Sequence, residues 1–87
     1  MSITFKLEIE GHSEEVNFSN GNAAALLILA GLQSAPYGEI PRERLDTAIT
    51  KLLRAMNSDP EYLKRRAGEM MAVLVLARTH GCGVTWG

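Results

Sequence analysis

The sequence has few of the residues on which several common protein classes depend. One cysteine among 87 residues leaves no internal disulfide, although secreted domains of this size usually carry a disulfide framework because their cores are small. Two histidines and that cysteine are too few for a four-ligand zinc site within one chain. The most apolar segment, residues 23–32, is far shorter than the about 20 residues that span a bilayer.

The first residues and the charge of the chain indicate the expected cellular location and limit the expected partners. Residues 1–6 lack the basic start and apolar run of a signal peptide, so we expect a cytoplasmic protein. The formal net charge of −1 gives no global attraction to nucleic acid or to a membrane surface. The charge is unevenly placed: residues 1–39 carry one basic and five acidic side chains, net −4, and residues 40–87 carry eight basic and five acidic, net +3.

Alternating apolar and polar residues predict strands at both ends of the chain. Residues 3–10 alternate with period two, and residues 15–19 do so again after a predicted turn at 11–13. These two segments are expected to form an antiparallel hairpin with one apolar face. The alternation at residues 84–86 predicts a short closing strand that pairs with the hairpin as an edge strand.

Three helices are predicted between the hairpin and the closing strand. The first covers residues 23–30 after a run of capping side chains, and Gly31 is expected to end it. The second begins near Pro41 and is amphipathic to Met56. The third follows a predicted capping box of Ser58 with Glu61, or alternatively starts at Asp59-Pro60, and ends at Gly81.

Together these elements predict a single α+β domain over residues 1–87. Its order is β-β-α-α-α-β: a small antiparallel sheet, made of the hairpin and the closing strand, covered on one face by three helices. Residues 33–39 are expected to be a loop. The third helix is apolar nearly all round from Met70 to Ala77, so its second half is expected to be enclosed.

No cluster of residues in the sequence predicts catalysis or the binding of a metal or cofactor. Cys82 and His80 are close along the chain, but a thiolate nucleophile also needs a third group to orient its base. A buried cysteine beside a helix-ending histidine explains both residues without chemistry. We therefore expect a protein that is not an enzyme, with no cofactor and no metal.

Exposed aromatic and charged residues give the candidates for contact with a partner. The loop before the second helix carries an aromatic residue and an acid, the third helix begins with a run of three bases, and the only tryptophan lies on the closing strand. Each also has a structural interpretation, as core cover or as an exposed helix face. The candidate partner-binding residues are Tyr37, Glu39, Arg42, Lys64, Arg65, Arg66 and Trp86.

Five short segments lie along most of the chain: Asn20-Gly21-Asn22-Ala23, Leu26-Leu27, Gly31-Leu32, Tyr37-Gly38-Glu39-Ile40 and Val84-Thr85-Trp86-Gly87. Together they resemble a group of small bacterial proteins of unknown function. The segments are caps, turns and helix ends, so the resemblance implies no activity and no site residues.

The resulting hypothesis is a non-enzymatic protein–protein interaction module, expected to be a homodimer. An accessory protein or a phage-type inhibitor of a host system fits this description. One alternative is a small-ligand binder with a pocket near Tyr37 and Glu39. A second is a nucleic-acid accessory protein that uses residues 64–66, which would require several basic side chains to converge on phosphate.

Overall fold

The α+β architecture predicted from the sequence is confirmed by a computed structural model that describes residues 2–8, 15–57 and 61–87. The strands are β1 (Ser2–Leu7), β2 (Glu15–Ser19), β3 (Gly38–Ile40) and β4 (Val84–Trp86). The helices are α1 (Asn20–Leu29), α2 (Leu45–Ala55) and α3 (Glu61–His80), with a 3-10 turn at Arg42–Arg44 before α2. The predicted hairpin turn and the Ser58 cap lie outside the described residues.

The described strands form one antiparallel sheet in the order β2-β1-β4-β3. Phe5 lies opposite Val16 in β2 and opposite Trp86 in β4, so the apolar residues of all three strands share a face. That face is buried under the helices, whereas the described residues of the other face are polar and are exposed or half-buried. One covered and one solvated face account for the period of two in the sequence.

The element order differs from the prediction by one strand. Residues 38–40 pair with β4, with Gly38 opposite Trp86 and Ile40 opposite Val84, where a loop was expected. The order is therefore β-β-α-β-α-α-β, and β4 is a central strand and not a possible edge. Gly38-Glu39-Ile40 carries only one large apolar residue, so this pairing leaves no alternating pattern in the sequence.

The predicted helix ends at Gly31 and Gly81 are confirmed, whereas α1 begins at Asn20 and not at the predicted residue 23. Ser19 caps α1, where its Oγ accepts a hydrogen bond from the Asn22 N–H at 3.3 Å. Gly31 ends the helix at φ 77°, and the Leu32 N–H donates to the Leu27 carbonyl. Gly81 ends α3 at φ 69° in the same manner. The second helix starts later than predicted, since Pro41 precedes the 3-10 turn.

The third helix is less enclosed than its composition predicted. Its buried side packs into the core through Ala67, Met70, Val73, Leu74 and Ala77. On its other side, Met71, Val75 and Leu76 are only half-buried and Ala72 is exposed. The expectation of enclosure was wrong because the described elements pack against one side of α3 and cover its outer side only in part.

Candidate functional site

The aromatic residue of the predicted contact loop lies at one edge of the sheet. Tyr37 immediately precedes β3, which is the edge strand beyond β4, and its side chain is 75% exposed. Glu39 is exposed in the middle of β3, on the polar face of the sheet. Arg42 is exposed just after the strand. These three residues define the β3 edge surface.

Tyr37 is held between two points that are fixed to the core. The Trp86 indole Nε1 donates a hydrogen bond to the Ala35 carbonyl at 2.9 Å, which secures the loop two residues before Tyr37. On the other side, a Cβ on Gly38 would lie 2.5 Å from Cζ2 of Trp86. Only glycine allows the backbone to approach the indole this closely. The position of Tyr37 is therefore determined by contacts on both sides of it.

Trp86 supports this surface from beneath and is not part of it. Its side chain is 8% exposed, and its ring stacks on Phe5 with centroids 5.6 Å apart. Phe5 in turn meets Phe18 edge-to-face at 5.7 Å. Of the two roles that the sequence left open for Trp86, core and contact surface, burial favours the core.

Two carboxyl groups meet on the polar side of the β3 edge. Partial desolvation, a hydrogen bond to the Glu39 carboxyl and the negative charge of that neighbour raise the pKa of Glu8 above its ordinary value of 4.5. A hydrogen bond between two carboxyl groups requires that one of them carries a proton. The pair therefore places acidic groups on the polar side of β3, with the Glu8 carboxyl toward the Arg42 end of the strand, since a Cβ on Gly83 would lie 3.4 Å from Glu8 Oε1 and 3.5 Å from the Arg42 backbone N.

Arg42 adds positive charge at the far end of the same edge. A Cβ placed on Gly81 would lie 4.0 Å from the Arg42 Nη1, so the guanidinium lies near the C-terminal end of α3. The carbonyl groups at a helix C-terminus carry a partial negative charge that favours a cation. The β3 edge thus carries an aromatic residue at one end, acids in the middle and a cation at the other end.

The basic run of α3 lies apart from this surface. The Arg66 guanidinium is 5.9 Å from the ring centroid of Phe18 in β2, at the opposite side of the sheet from β3. Its Nη1 is 2.9 Å from Glu69 Oε2, and Lys64 Nζ is 3.9 Å from Glu61 Oε2. These bases line an open groove of about 870 Å³ together with those acids and Asn22. Neighbouring carboxylates offset much of the charge that a phosphate backbone would need.

A second surface, which the sequence reasoning missed, lies on the outer side of α3. Six residues follow one another at helical spacing and line an apolar depression of about 460 Å³. We call them the α3 stripe: Gly68, Met71, Ala72, Val75, Leu76 and Thr79. A second depression of about 360 Å³ continues from Ala72 and Leu76 to Glu15 and Val16 of β2. The spacing was visible in the sequence, but exposure of this side depends on where α3 lies.

Two of the residues considered for chemistry lie where α3 ends: His80 is its last residue, and Cys82 follows Gly81. Cys82 is half-buried against the core, and its N–H donates to the Ala77 carbonyl at the end of α3. Within residues 2–8, 15–57 and 61–87, no group of three or more His, Cys, Asp or Glu side chains could hold a metal ion. His12 lies outside these ranges. None of the cavities described above, nor two smaller ones of about 260 and 170 Å³, is lined by Tyr37, Glu39 or Arg42.

Comparison of the chain with protein-family models, curated proteins and solved structures gave no match. Among the helices of the described segments, none combines the length and the apolar character needed to cross a membrane. The function must therefore be argued from the two surfaces themselves.

Proposed function

We propose that this protein is a non-enzymatic protein–protein interaction module that binds its partner through the β3 edge surface. The observation that carries the proposal is Tyr37, a large aromatic side chain that is 75% exposed. Tyrosine is enriched among the residues that dominate binding energy at protein interfaces. A monomeric core gains nothing from a tyrosine so far exposed, whereas an interface gains both apolar area and a hydroxyl group.

The attachment of Tyr37 to the core favours binding over a merely solvated loop. Ordering a side chain or loop on association costs free energy, which is reduced when the free protein already holds the bound conformation. The hydrogen bond from Trp86 to Ala35 and the close contact of Gly38 with the indole provide that order. A partner would meet a prearranged surface at small entropic cost.

The charges beside Tyr37 define the partner's chemistry. Glu39 presents an acidic group two residues from the tyrosine, and Arg42 presents positive charge at the other end of the strand. A complementary protein surface would place an apolar pocket opposite Tyr37 and basic groups opposite Glu39. Such complementarity directs orientation and association rate more than affinity. Inhibition of a host system by a phage or accessory protein is one role within this class.

The test is affinity purification from the native host with three forms of the tagged chain: wild type, Tyr37→Ala and Ile28→Ala. Ile28 is the matched control because it is also a large exposed side chain, 64% exposed, but lies on α1. We expect one protein to be enriched by the wild type and the control and depleted at least about tenfold by Tyr37→Ala, the effect of losing a hot-spot residue. Equal recovery with all three forms contradicts the proposal.

The nucleic-acid alternative has a separate test. If residues 64–66 bind phosphate, affinity for single-stranded RNA or DNA should be measurable at low ionic strength and should fall steeply with added salt. Because Glu61 and Glu69 pair with two of these bases, we expect no such affinity. Salt-dependent binding that is lost on Arg65→Ala would favour the alternative over the proposal.

A further inference from the structure

The opposite edge of the sheet carries a surface that is independent of Tyr37. β2 is the other edge strand, and the direction of its backbone groups follows from the neighbouring strands. Thr4 exchanges hydrogen bonds with Gly87, beyond the end of β4, so the backbone groups of Ile3 and Phe5 point toward β2. By alternation, the N–H and C=O groups of Glu15 and Asn17 point away from the sheet.

These outward backbone groups are available for pairing with another strand. Among the described residues, none forms a backbone hydrogen bond on the outer side of β2. An edge with unpaired groups is a template for another strand. The β3 edge differs because it has only three residues and is followed at once by Pro41, which lacks an N–H group.

The β2 edge is continuous with the α3 stripe. Val16 of β2 and Leu76 of the stripe line the same depression, with Ala72 between them. The strand therefore offers hydrogen-bonding groups, and the helix immediately beside it offers an uncovered apolar surface. An occupant must satisfy both: it must present an edge strand and, beside that strand, an apolar helix face.

We infer that the occupant is a second copy of this chain, related by a twofold axis that passes beside Asn17. The chain itself presents the required combination, and a twofold interface brings the same patch of both copies together. Antiparallel pairing of the two β2 strands would join the sheets into one of eight strands. The α3 helices would then cross antiparallel above the junction, each stripe covering the other.

The twofold register avoids like charges on the strands. Centring on Asn17 places Glu15 opposite Ser19 of the partner subunit and not opposite a second glutamate. Val16 lies opposite Phe18 of the partner subunit, which continues the apolar face across the junction. The Ser19 N–H can then donate to the Glu15 carbonyl of the partner subunit, while its side chain still caps α1.

The helices are also complementary in shape and charge. Gly68 and Ala72 have little or no side chain, which permits the interaxial distances of about 8–10 Å at which helices pack. An antiparallel crossing brings the first turns of each α3 near the last turn of the other, which carries Arg78 and His80. Glu69, which lines the depression beside the stripe, would then lie toward Arg78 of the partner subunit.

The size of the surface indicates a dimer of modest affinity. β2 and the α3 stripe together present about eleven residues per protomer. A standard interface buries about 800 Å² per partner with about 20–30 residues, so this surface corresponds to roughly 350 Å² per protomer. Self-association should therefore depend on concentration and be complete only well above the low micromolar range.

Sedimentation velocity of the purified full chain, from low micromolar to near-millimolar concentration, tests the inference. We expect a reversible monomer–dimer equilibrium in the wild type. Ala72→Glu, at an exposed position where the fold tolerates charge, should raise the dissociation constant at least about tenfold. The matched control, Ile28→Glu, should dimerise like the wild type. A wild type that stays monomeric throughout, or equal dimerisation by all three forms, overturns the inference.

Cross-linking tests the register directly. Cα atoms of a hydrogen-bonded antiparallel pair are about 5.5 Å apart, within the range that a disulfide spans. With Cys82 replaced by serine, Asn17→Cys should give an oxidised covalent dimer, whereas Glu39→Cys at the other edge should not. Equal cross-linking at both edges contradicts this register.

Neither self-association experiment depends on Tyr37. If the protein dimerises but captures no partner through Tyr37, the inference stands and the proposed function is refuted. If it captures a partner through Tyr37 but stays monomeric, the proposed function stands and the inference is refuted.

Discussion

The two edges of the sheet differ in how the chain protects them. The β3 edge is three residues long, ends at Pro41 and has its backbone pressed against the indole of Trp86. The β2 edge is five residues long, has outward N–H groups and lies beside an apolar helix face. An edge that is short and ends in proline resists strand addition, whereas a longer regular edge permits it. The chain thus offers exposed side chains at the β3 edge and unpaired backbone groups at the β2 edge.

The largest expected effect removes the support that both edges share. Phe5 is fully buried in β1 and contacts Phe18 toward one edge and Trp86 toward the other. Phe5→Ala should lower the free energy of unfolding by about 3–5 kcal/mol, the cost of truncating a buried phenylalanine. Urea denaturation followed by circular dichroism measures it. Tyr37→Ala serves as the control and should stay close to wild type; a loss below about 1 kcal/mol for Phe5→Ala would contradict this packing.

The next effect should be confined to the β3 edge. Gly38→Ala places a Cβ 2.5 Å from the Trp86 ring, which forces the strand or the indole to move. We expect a loss of about 1–3 kcal/mol, typical of overpacking, and faster hydrogen exchange in β3 but not in β2. Gly21→Ala is the matched control, because nothing lies within 4 Å of its added Cβ. Equal losses of stability at Gly38 and Gly21 would show that the close approach of Gly38 to the Trp86 ring does not determine the effect.

A smaller effect should appear at the end of β2. Ser19 terminates the strand and caps α1 through its hydroxyl, so Ser19→Ala removes one acceptor from the helix start. The expected loss of stability is about 1 kcal/mol. Thermal denaturation should show a lower midpoint, while Ser34→Ala in the exposed loop should leave it unchanged. An unchanged midpoint for Ser19→Ala would mean that water replaces the cap at no cost.

The smallest effect concerns the acids beside the β3 edge. Because the pKa of Glu8 is raised in the folded protein, the folded state binds a proton more tightly than the unfolded state does. Stability contributed by this group is therefore present at acidic pH and is lost as the pH rises from about 4.5 through the folded pKa. Glu8→Gln should remove this decline.

The measurement is the free energy of unfolding in denaturant at a series of pH values between acidic and neutral. The difference between Glu8→Gln and wild type should grow in favour of the variant as the pH rises. Glu43→Gln controls for the loss of one negative charge elsewhere on the surface. A difference that is constant with pH would rule out a proton bound preferentially in the folded state.

The two edges also differ in how much of each could be predicted from the sequence. Helix ends at Gly31 and Gly81 and the alternation in β1 are local signals, and each was read correctly. β3 could not be predicted this way because its formation depends on Gly38 fitting against Trp86, a residue far along the chain. Without β3, Trp86 appeared to lie near an edge, although it lies on a central strand.

The candidate contact surfaces also differ in whether local sequence signals could predict them. Exposure of Tyr37 and Glu39 was anticipated from loop composition, and both are exposed. The α3 stripe escaped prediction for a different reason. Its spacing of three and four residues is a local property, but whether a neighbour covers it depends on the place of α3 relative to β2. Periodicity shows which residues share a face and does not show what that face meets.

The hydrogen bond from Trp86 to Ala35 makes the fluorescence of Trp86 sensitive to the position of the Tyr37 loop. Trp86 is the only tryptophan in the chain, and its indole is stacked, hydrogen-bonded and nearly excluded from water. The intrinsic fluorescence of the folded protein therefore originates at the base of the Tyr37 loop. Emission wavelength and quenching by soluble reagents should report any displacement of that loop, without an added label.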